Sequence, residues 1–224
     1  MSFLFSNLIT RATKNRKEKQ MNKIKIENNV PGLNVTVNQN ADGSFAILLA
    51  EQHKKVLGNA KPGEVVKIGN REYIVLGHAA ETTAVITKEF ATKMEFGSNG
   101  DYLTSKVRKY CNGDFYKELA AVVGKENIIK HTVNLEADDG TGKGKKCQDD
   151  VSIITTENYR RYREILEAYG DWWWTATRVT FDESAGYARY VCCVSSYGIL
   201  DWFDCGCCLG VRPFCILNSS ISVS

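Results

Sequence analysis

The final 41 residues, 184–224, contain no lysine, glutamate, glutamine or methionine. Residues 1–183 contain 41 residues of these four types, so about nine would be expected in a segment of that length from composition alone. Other absences narrow the function. No apolar run approaches the ~18–20 residues of a membrane-crossing helix. Only three histidines occur, His53, His78 and His131, and none stands at a motif spacing from a serine, cysteine or carboxylate that would mark a catalytic triad. A basic body is also missing. The net charge is +3, yet residues 1–25 hold seven basic side chains (Arg11, Lys14, Arg16, Lys17, Lys19, Lys23 and Lys25) against Glu18 alone, which leaves residues 26–224 at −3. A body of that charge has no excess with which to neutralise phosphates, so no nucleic-acid partner is expected.

What is present is a globular composition, 43% hydrophobic and 25% charged over 224 residues, enough for one large domain or two small ones. Residues 1–22 read as a basic N-terminal extension. In MSFLFSNLITRATKNRKEKQ the apolar part precedes the charges and no small-residue cleavage site follows, unlike a secretory signal. Residues 23–97 pattern as short strands: KIKIE and residues 33–37 alternate, Ala41-Asp42-Gly43 supplies a turn, and residues 64–77 fold back at Gly69-Asn70 as a hairpin. Residues 83–88 add another strand.

From residue 98 the period becomes helical. Leu103, Val107 and Tyr110 share one helix face, Cys111-Asn112-Gly113 interrupts, and a second helix runs from Asp114 through Phe115, Leu119 and Val122 to Gly124. Residues 136–150 read as a polar glycine-rich loop. Thr155 or Thr156 then caps a third helix over residues 157–169, with Tyr159, Tyr162, Ile165, Leu166 and Tyr169 on one stripe and Gly170 ending it. Strands, two to three helices and then many short strands indicate an α+β architecture. Residues 98–224 form the third part, with residues 23–224 also readable as one domain.

The tail holds six of the eight cysteines, Cys192, Cys193, Cys205, Cys207, Cys208 and Cys215. Within it Tyr197, Ile199, Asp201 and Phe203 alternate with Gly198, Leu200 and Trp202, so on a strand the two sets face opposite ways. The even set is small or apolar and suits packing. The odd set shares no chemistry, which fits a surface whose identity is free. The genetic code supplies a mechanism: Tyr, Cys, Ser, Ile, Asp, Phe and Gly all have codons ending in a pyrimidine, whereas Lys, Glu, Gln and Met do not. Randomising the first two bases of an asparagine codon yields this alphabet.

The stretches Trp172-Trp173-Trp174-Thr175-Ala176-Thr177, Tyr187-Ala188-Arg189-Tyr190-Val191, Ser196-Tyr197-Gly198 and Gly210-Val211-Arg212-Pro213, with the upstream Val151-Ser-Ile-Ile-Thr-Thr-Glu-Asn-Tyr-Arg160 segment, resemble phage and gut-bacterial variable proteins of diversity-generating retroelements. The resemblance covers residues 64–217 loosely and 151–217 well. It implies a C-type-lectin-like fold with a variable tail at 187–210, no cofactor, and a virion or cell-surface setting in which the tail meets a macromolecular or glycan ligand. The implied variable face comprises Tyr190, Cys192, Cys193, Ser195, Tyr197, Ile199, Asp201, Phe203, Asp204, Gly206, Cys207 and Cys208. Val191, Val194, Gly198, Leu200, Trp202 and residues 210–213 become its fixed support.

Two alternatives stand beside this. One is an oxidoreductase of the formylglycine-generating class, on a related fold with a reactive cysteine pair. The other is a cysteine-ligated metal module built on the Cys205/Cys208 CxxC, although no second CxxC accompanies it. The loop Gly140-Thr-Gly-Lys-Gly-Lys-Lys146 lacks phosphate-loop spacing and reads as solvated. Asp138, Asp139, Asp149 and Asp150 lack the spacing of a calcium loop. At least two of the three consecutive tryptophans are expected in the core.

Overall fold

Strand-forming segments separated by glycine and asparagine turns dominate residues 33–95 and 171–224 among those described. The computed structural model describes residues 33–51, 55–166 and 170–224, and it is a strand-rich α+β protein. Its contacts divide it into residues 1–52 and residues 53–224. The boundary expected between residues 97 and 98 falls inside the second unit, because strands before residue 97 hydrogen-bond to strands after residue 207. The extension over residues 1–22, KIKIE and His53 lie outside the described residues.

In the first unit β1 (Leu33–Gln39) pairs antiparallel with β2 (Phe45–Glu51) around the expected turn, where Gly43 adopts φ +85° and Asp42 Oδ1 accepts from the Ser44 N–H at 2.8 Å.

The second unit begins with β3 (Lys55–Val56), β4 (Val65–Ile68), β5 (Arg71–Ala79), β6 (Thr82–Thr87) and β7 (Thr92–Glu95). There follow α1 (Lys106–Tyr110), α2 (Tyr116–Val123), β8 (Ile128–Ile129), β9 (His131–Asn134), β10 (Lys146–Asp149), β11 (Ser152–Ile153) and α3 (Thr156–Arg161). The tail supplies β12 (Trp173–Arg178), β13 (Tyr190–Val194), β14 (Leu200–Asp204), β15 (Cys208–Val211), β16 (Pro213–Asn218) and β17 (Ser222–Val223). One sheet runs β11-β16-β6-β5-β4, with β8 also on β16, and a second runs β14-β13-β12-β15-β7. The β4–β5 hairpin turns at Gly69-Asn70 as the sequence indicates, with Gly69 at φ +60°. The polar loop expected over 136–150 is shorter than that, since Lys146–Asp149 pairs with His131–Asn134.

Two helical expectations change. Cys111-Asn112-Gly113 does not break the helix: Cys111–Phe115 forms a π-turn between α1 and α2. Val107, Cys111, Phe115 and Leu119 are all buried at steps of four residues. An α-helix drifts ~40° per such step, and a wider turn reduces that drift so that all four reach one core. The third helix is correctly capped, Thr155 Oγ1 accepting from the Asn158 N–H at 3.1 Å, but it closes at Arg161 instead of reaching residue 169. Tyr162 leaves helical geometry at φ −102°, ψ 14°. Residues 167–169 are outside the described set.

Every residue of β12 is buried, so this strand lies between two packed layers. Trp174 and Ala176 enter the larger core cluster, which also takes Val85, Phe96, Val107, Val191 and Val211. Trp173, on the other face, enters a smaller one with Ile86, Ile154, Tyr159 and Phe214. Trp172 is half-buried, so two of the three tryptophans are core. The Gly210-Val211-Arg212-Pro213 run is structural. A Cβ on Gly210 would meet the Phe90 ring at 2.5 Å, and the buried Arg212 guanidinium stacks 4.9 Å from the Trp173 ring while its Nε donates to the Thr87 carbonyl at 3.0 Å.

Candidate ligand-binding surface

Residues 195–199 form the turn that joins β13 to β14. Three hydrogen bonds tie it: the Gly198 N–H donates to the Ser195 carbonyl at 2.9 Å, the Ser195 N–H to the Ile199 carbonyl at 2.8 Å, and the Ile199 N–H to Ser195 Oγ at 3.1 Å. Gly198 sits at φ +69°, a conformation that favours glycine. The hydroxyl of buried Tyr159, from α3, donates to the Gly198 carbonyl at 2.7 Å. Two side chains on this anchored turn stand in solvent. Tyr197 is 80% exposed and Ile199 60%, and Asp201 beyond them is also exposed.

Register assigns the faces of β14. Asp201 and Phe203 lie opposite Cys193 and Val191, while Trp202 lies opposite Cys192. Phe203 is half-buried, its ring 4.9 Å from Trp172 in an edge-on contact. Trp202, expected as packed support, is 45% exposed. It forms an edge-packed aromatic group with Tyr187 at 5.5 Å and Tyr190 at 5.1 Å, which lie beside it near the sheet edge. Tyr187 is also exposed, and nothing in the alternation pattern singled it out. Asp204, expected as a free position, is committed to a two-pronged ion pair with Arg189 at 2.9 and 3.0 Å and accepts from the Gly206 N–H at 2.8 Å. These bonds, the Arg189 pair foremost, hold its carboxyl below the ordinary carboxylate range.

Three members of the expected outward face are inside. Cys192 is 4% exposed, Cys193 0% and Ser195 4%. For the two cysteines the reason is topological, since β13 is an inner strand between β12 and β14, covered on both faces; Ser195 is turned inward to accept from the Ile199 N–H. Comparison of the chain with protein-family models, curated proteins and solved structures finds no match.

The cysteines do not converge. All eight are free thiols, of which Cys205 is buried, Cys207 half-buried and Cys208 exposed. Among the described residues no three His, Cys, Asp or Glu side chains come together in a way that could hold a metal ion. Burial pushes the Cys192 thiol up to about 12 and also raises Cys111, Cys193, Cys205 and Cys215. Such thiols stay protonated at neutral pH, unlike the thiolate that redox or nucleophilic chemistry requires. Alkylation of the native protein at pH 8 is expected to modify Cys208 first. Cys111, Cys193 and Cys215 should react on the order of 100-fold more slowly, through local opening. Peptide mapping that finds Cys193 modified as fast as Cys208 would refute the inner placement of β13.

The aspartates and His78 are each engaged by other groups of the fold. Asp138 accepts from Arg160 and from the Thr156 hydroxyl, and Asp139 accepts from the Thr141 N–H and hydroxyl. Asp149 pairs with Arg108, and Asp150 lies 3.7 Å from Lys130. His78 bridges the Ala60 carbonyl and Thr83 Oγ1.

Proposed function

We propose that this protein is a non-enzymatic ligand-binding module of C-type-lectin-like architecture. Its C-terminal surface, diversified by retroelement mutagenesis, meets a macromolecular or glycan target for a phage or bacterial carrier. The observation that carries the reading is the turn at 195–199, whose backbone is fixed by buried groups while Tyr197 and Ile199 stand in solvent. Substitutions on such exposed positions change stability by about ±0.5 kcal/mol, whereas core changes cost several times more. Variation is therefore cheap at these positions. The compositional break in the tail falls on the same segment. Tyr and Phe there offer large contact area at low entropic cost, as in antibody paratopes.

The contacting set proposed here is smaller than the full alternating face. Tyr197, Ile199, Asp201, Gly206 and Cys208 form its exposed part, with Tyr190, Phe203 and Cys207 half-buried at its margin. Cys192, Cys193 and Ser195 drop out of contact, and Asp204 holds the β14 end in place. Trp202 has a single codon that does not end in a pyrimidine, so it serves as a constant aromatic beside changing neighbours.

The test reads the gene and the protein together. Among sibling isolates, substitutions should fall on the first two bases of pyrimidine-ending codons at the exposed positions, with Trp202 constant. A combined Tyr197→Ser, Ile199→Ser, Asp201→Ser variant should keep its melting temperature within about 3 °C of the parent. Substitutions scattered evenly along the chain, or a triple variant that no longer folds, would overturn the reading.

A further inference from the structure

A cleft of about 490 Å³ opens between α3 and strands β5, β6, β9, β11 and β16, sharing no residue with the tail at 187–210. Its apolar lining includes Phe214, Ile216 and Ala84. Its polar lining includes His131, Ser152, Asn158 and Arg161. Among the described residues no aspartate or glutamate lines it, and Arg161 is the one formally charged residue among those that do.

The polar groups are set in place by the fold. His131 is 8% exposed and Ser152 1%, and His131 Nε2 lies 2.9 Å from Ser152 Oγ. The His131 ring meets Phe214 edge-on at 5.1 Å. Burial lowers the proton affinity of that imidazole, so at neutral pH the ring stays uncharged and the cation of the cleft is Arg161. The Asn158 carbonyl oxygen accepts from the Thr155 hydroxyl at 2.8 Å, so the end of this amide left to serve a ligand is the donor nitrogen. One planar cationic fork, hydroxyl and amide donors and an apolar floor, with no carboxylate among them, match one ligand chemistry.

We propose that this cleft binds a small organic carboxylate, whose charged end pairs with Arg161 and the Asn158 amide and whose apolar body lies on Phe214 and Ile216. The site is independent of the display surface and stands or falls separately from it. Glu157 competes for the cation: its Oε1 lies 3.5 Å from Arg161 Nη2, in an exposed pair that a ligand carboxylate displaces at little cost.

Titration calorimetry of the full chain with benzoate and with hexanoate tests this, with benzamide as the uncharged counterpart of benzoate and amide chemical shifts to locate the site. Saturable binding is expected, with shifts at Ser152, Asn158 and Arg161, and with benzamide roughly tenfold weaker or more. Arg161→Gln, at an exposed position, should weaken benzoate at least about tenfold without lowering the melting temperature. Glu157→Gln should tighten it by about two- to fivefold by releasing Arg161. Failure of both carboxylates to saturate, equal affinity for benzamide, or unchanged affinity in Arg161→Gln would overturn the proposal.

Discussion

Replacing Trp174 with alanine is expected to remove about 4 kcal/mol or more of unfolding free energy, measured by denaturant titration. Trp174 is 0% exposed and belongs to the larger cluster, where its ring meets Phe96 at 5.5 Å in an edge-on contact. Truncation forfeits the transfer free energy of the ring and leaves a cavity, and buried Phe or Trp to Ala changes cost about 3–5 kcal/mol. A polar loss adds to this. The Trp174 indole N–H donates to the Met94 carbonyl at 3.0 Å, across from β12 to β7, and alanine offers no donor. Trp174→Phe separates the two contributions, because it refills much of the volume but not the hydrogen bond; it should lose about half as much. Trp172→Ala is the control. That ring is half-buried against Phe203, and its loss should cost about 1–2 kcal/mol. Trp172 and Trp174 share a face, so equal losses at the two would mean that Trp172 is as deeply packed in the larger cluster as Trp174.

That at least two of the three tryptophans are core was legible in the sequence, from the apolar bulk of the residue type alone. Three consecutive tryptophans on a strand must point in turn to opposite faces, and a strand able to bury both faces has to be central. The Gly69-Asn70 hairpin was legible for a similarly local reason, the left-handed backbone at its first turn residue. The surface was only half legible. Alternation places Asp201 and Phe203 on one face of β14, but it does not say how far the neighbouring layer extends under each end of the strand. Phe203 is half-covered by Trp172, and Trp202, on the side read as packing, is exposed next to Tyr187 and Tyr190. Cysteine carries a further ambiguity. Cys192 and Cys193 belong to the pyrimidine-ending alphabet, yet a free thiol is also among the most readily buried of side chains, and only the position of β13 between two other strands decides between these.

Long-range pairing was not legible at all. Asp149 stands in a run of lysines, glycines and aspartates that looks solvated, and its partner is 41 residues away. The π-turn was hidden too, because Cys111-Asn112-Gly113 has the composition of a helix break. One polar atom of this turn, Asn112 Oδ1, accepts from the Asp150 N–H at 3.1 Å, so the π-turn and the end of β10 are joined through a contact that no local pattern encodes.

Asp149→Ala is accordingly expected to destabilise the protein by about 3–4 kcal/mol, although the residue lies in a segment that reads as loop. Its carboxylate is 2% exposed and accepts from Arg108 Nη2 at 2.7 Å, Arg108 Nε at 3.0 Å and the Tyr102 hydroxyl at 3.1 Å. The two donors differ in what the loss leaves behind. Arg108 retains 31% side-chain exposure and can turn part of its charge to water. Tyr102 is 2% exposed, and burial above all, with the neighbouring Asp149 carboxylate, raises its pKa well above the ordinary phenol value. It therefore remains a neutral donor at every accessible pH, with no acceptor in the alanine variant. Asp149→Asn keeps the shape and one acceptor but loses the charge, and should cost about half as much. The decisive measurement is the double-mutant cycle with Arg108→Ala. A buried, forked pair predicts that the double variant loses less than the sum of the singles by about 2 kcal/mol, whereas strict additivity would show that Arg108 and Asp149 act on stability separately and that the α1–β10 junction is held by packing alone.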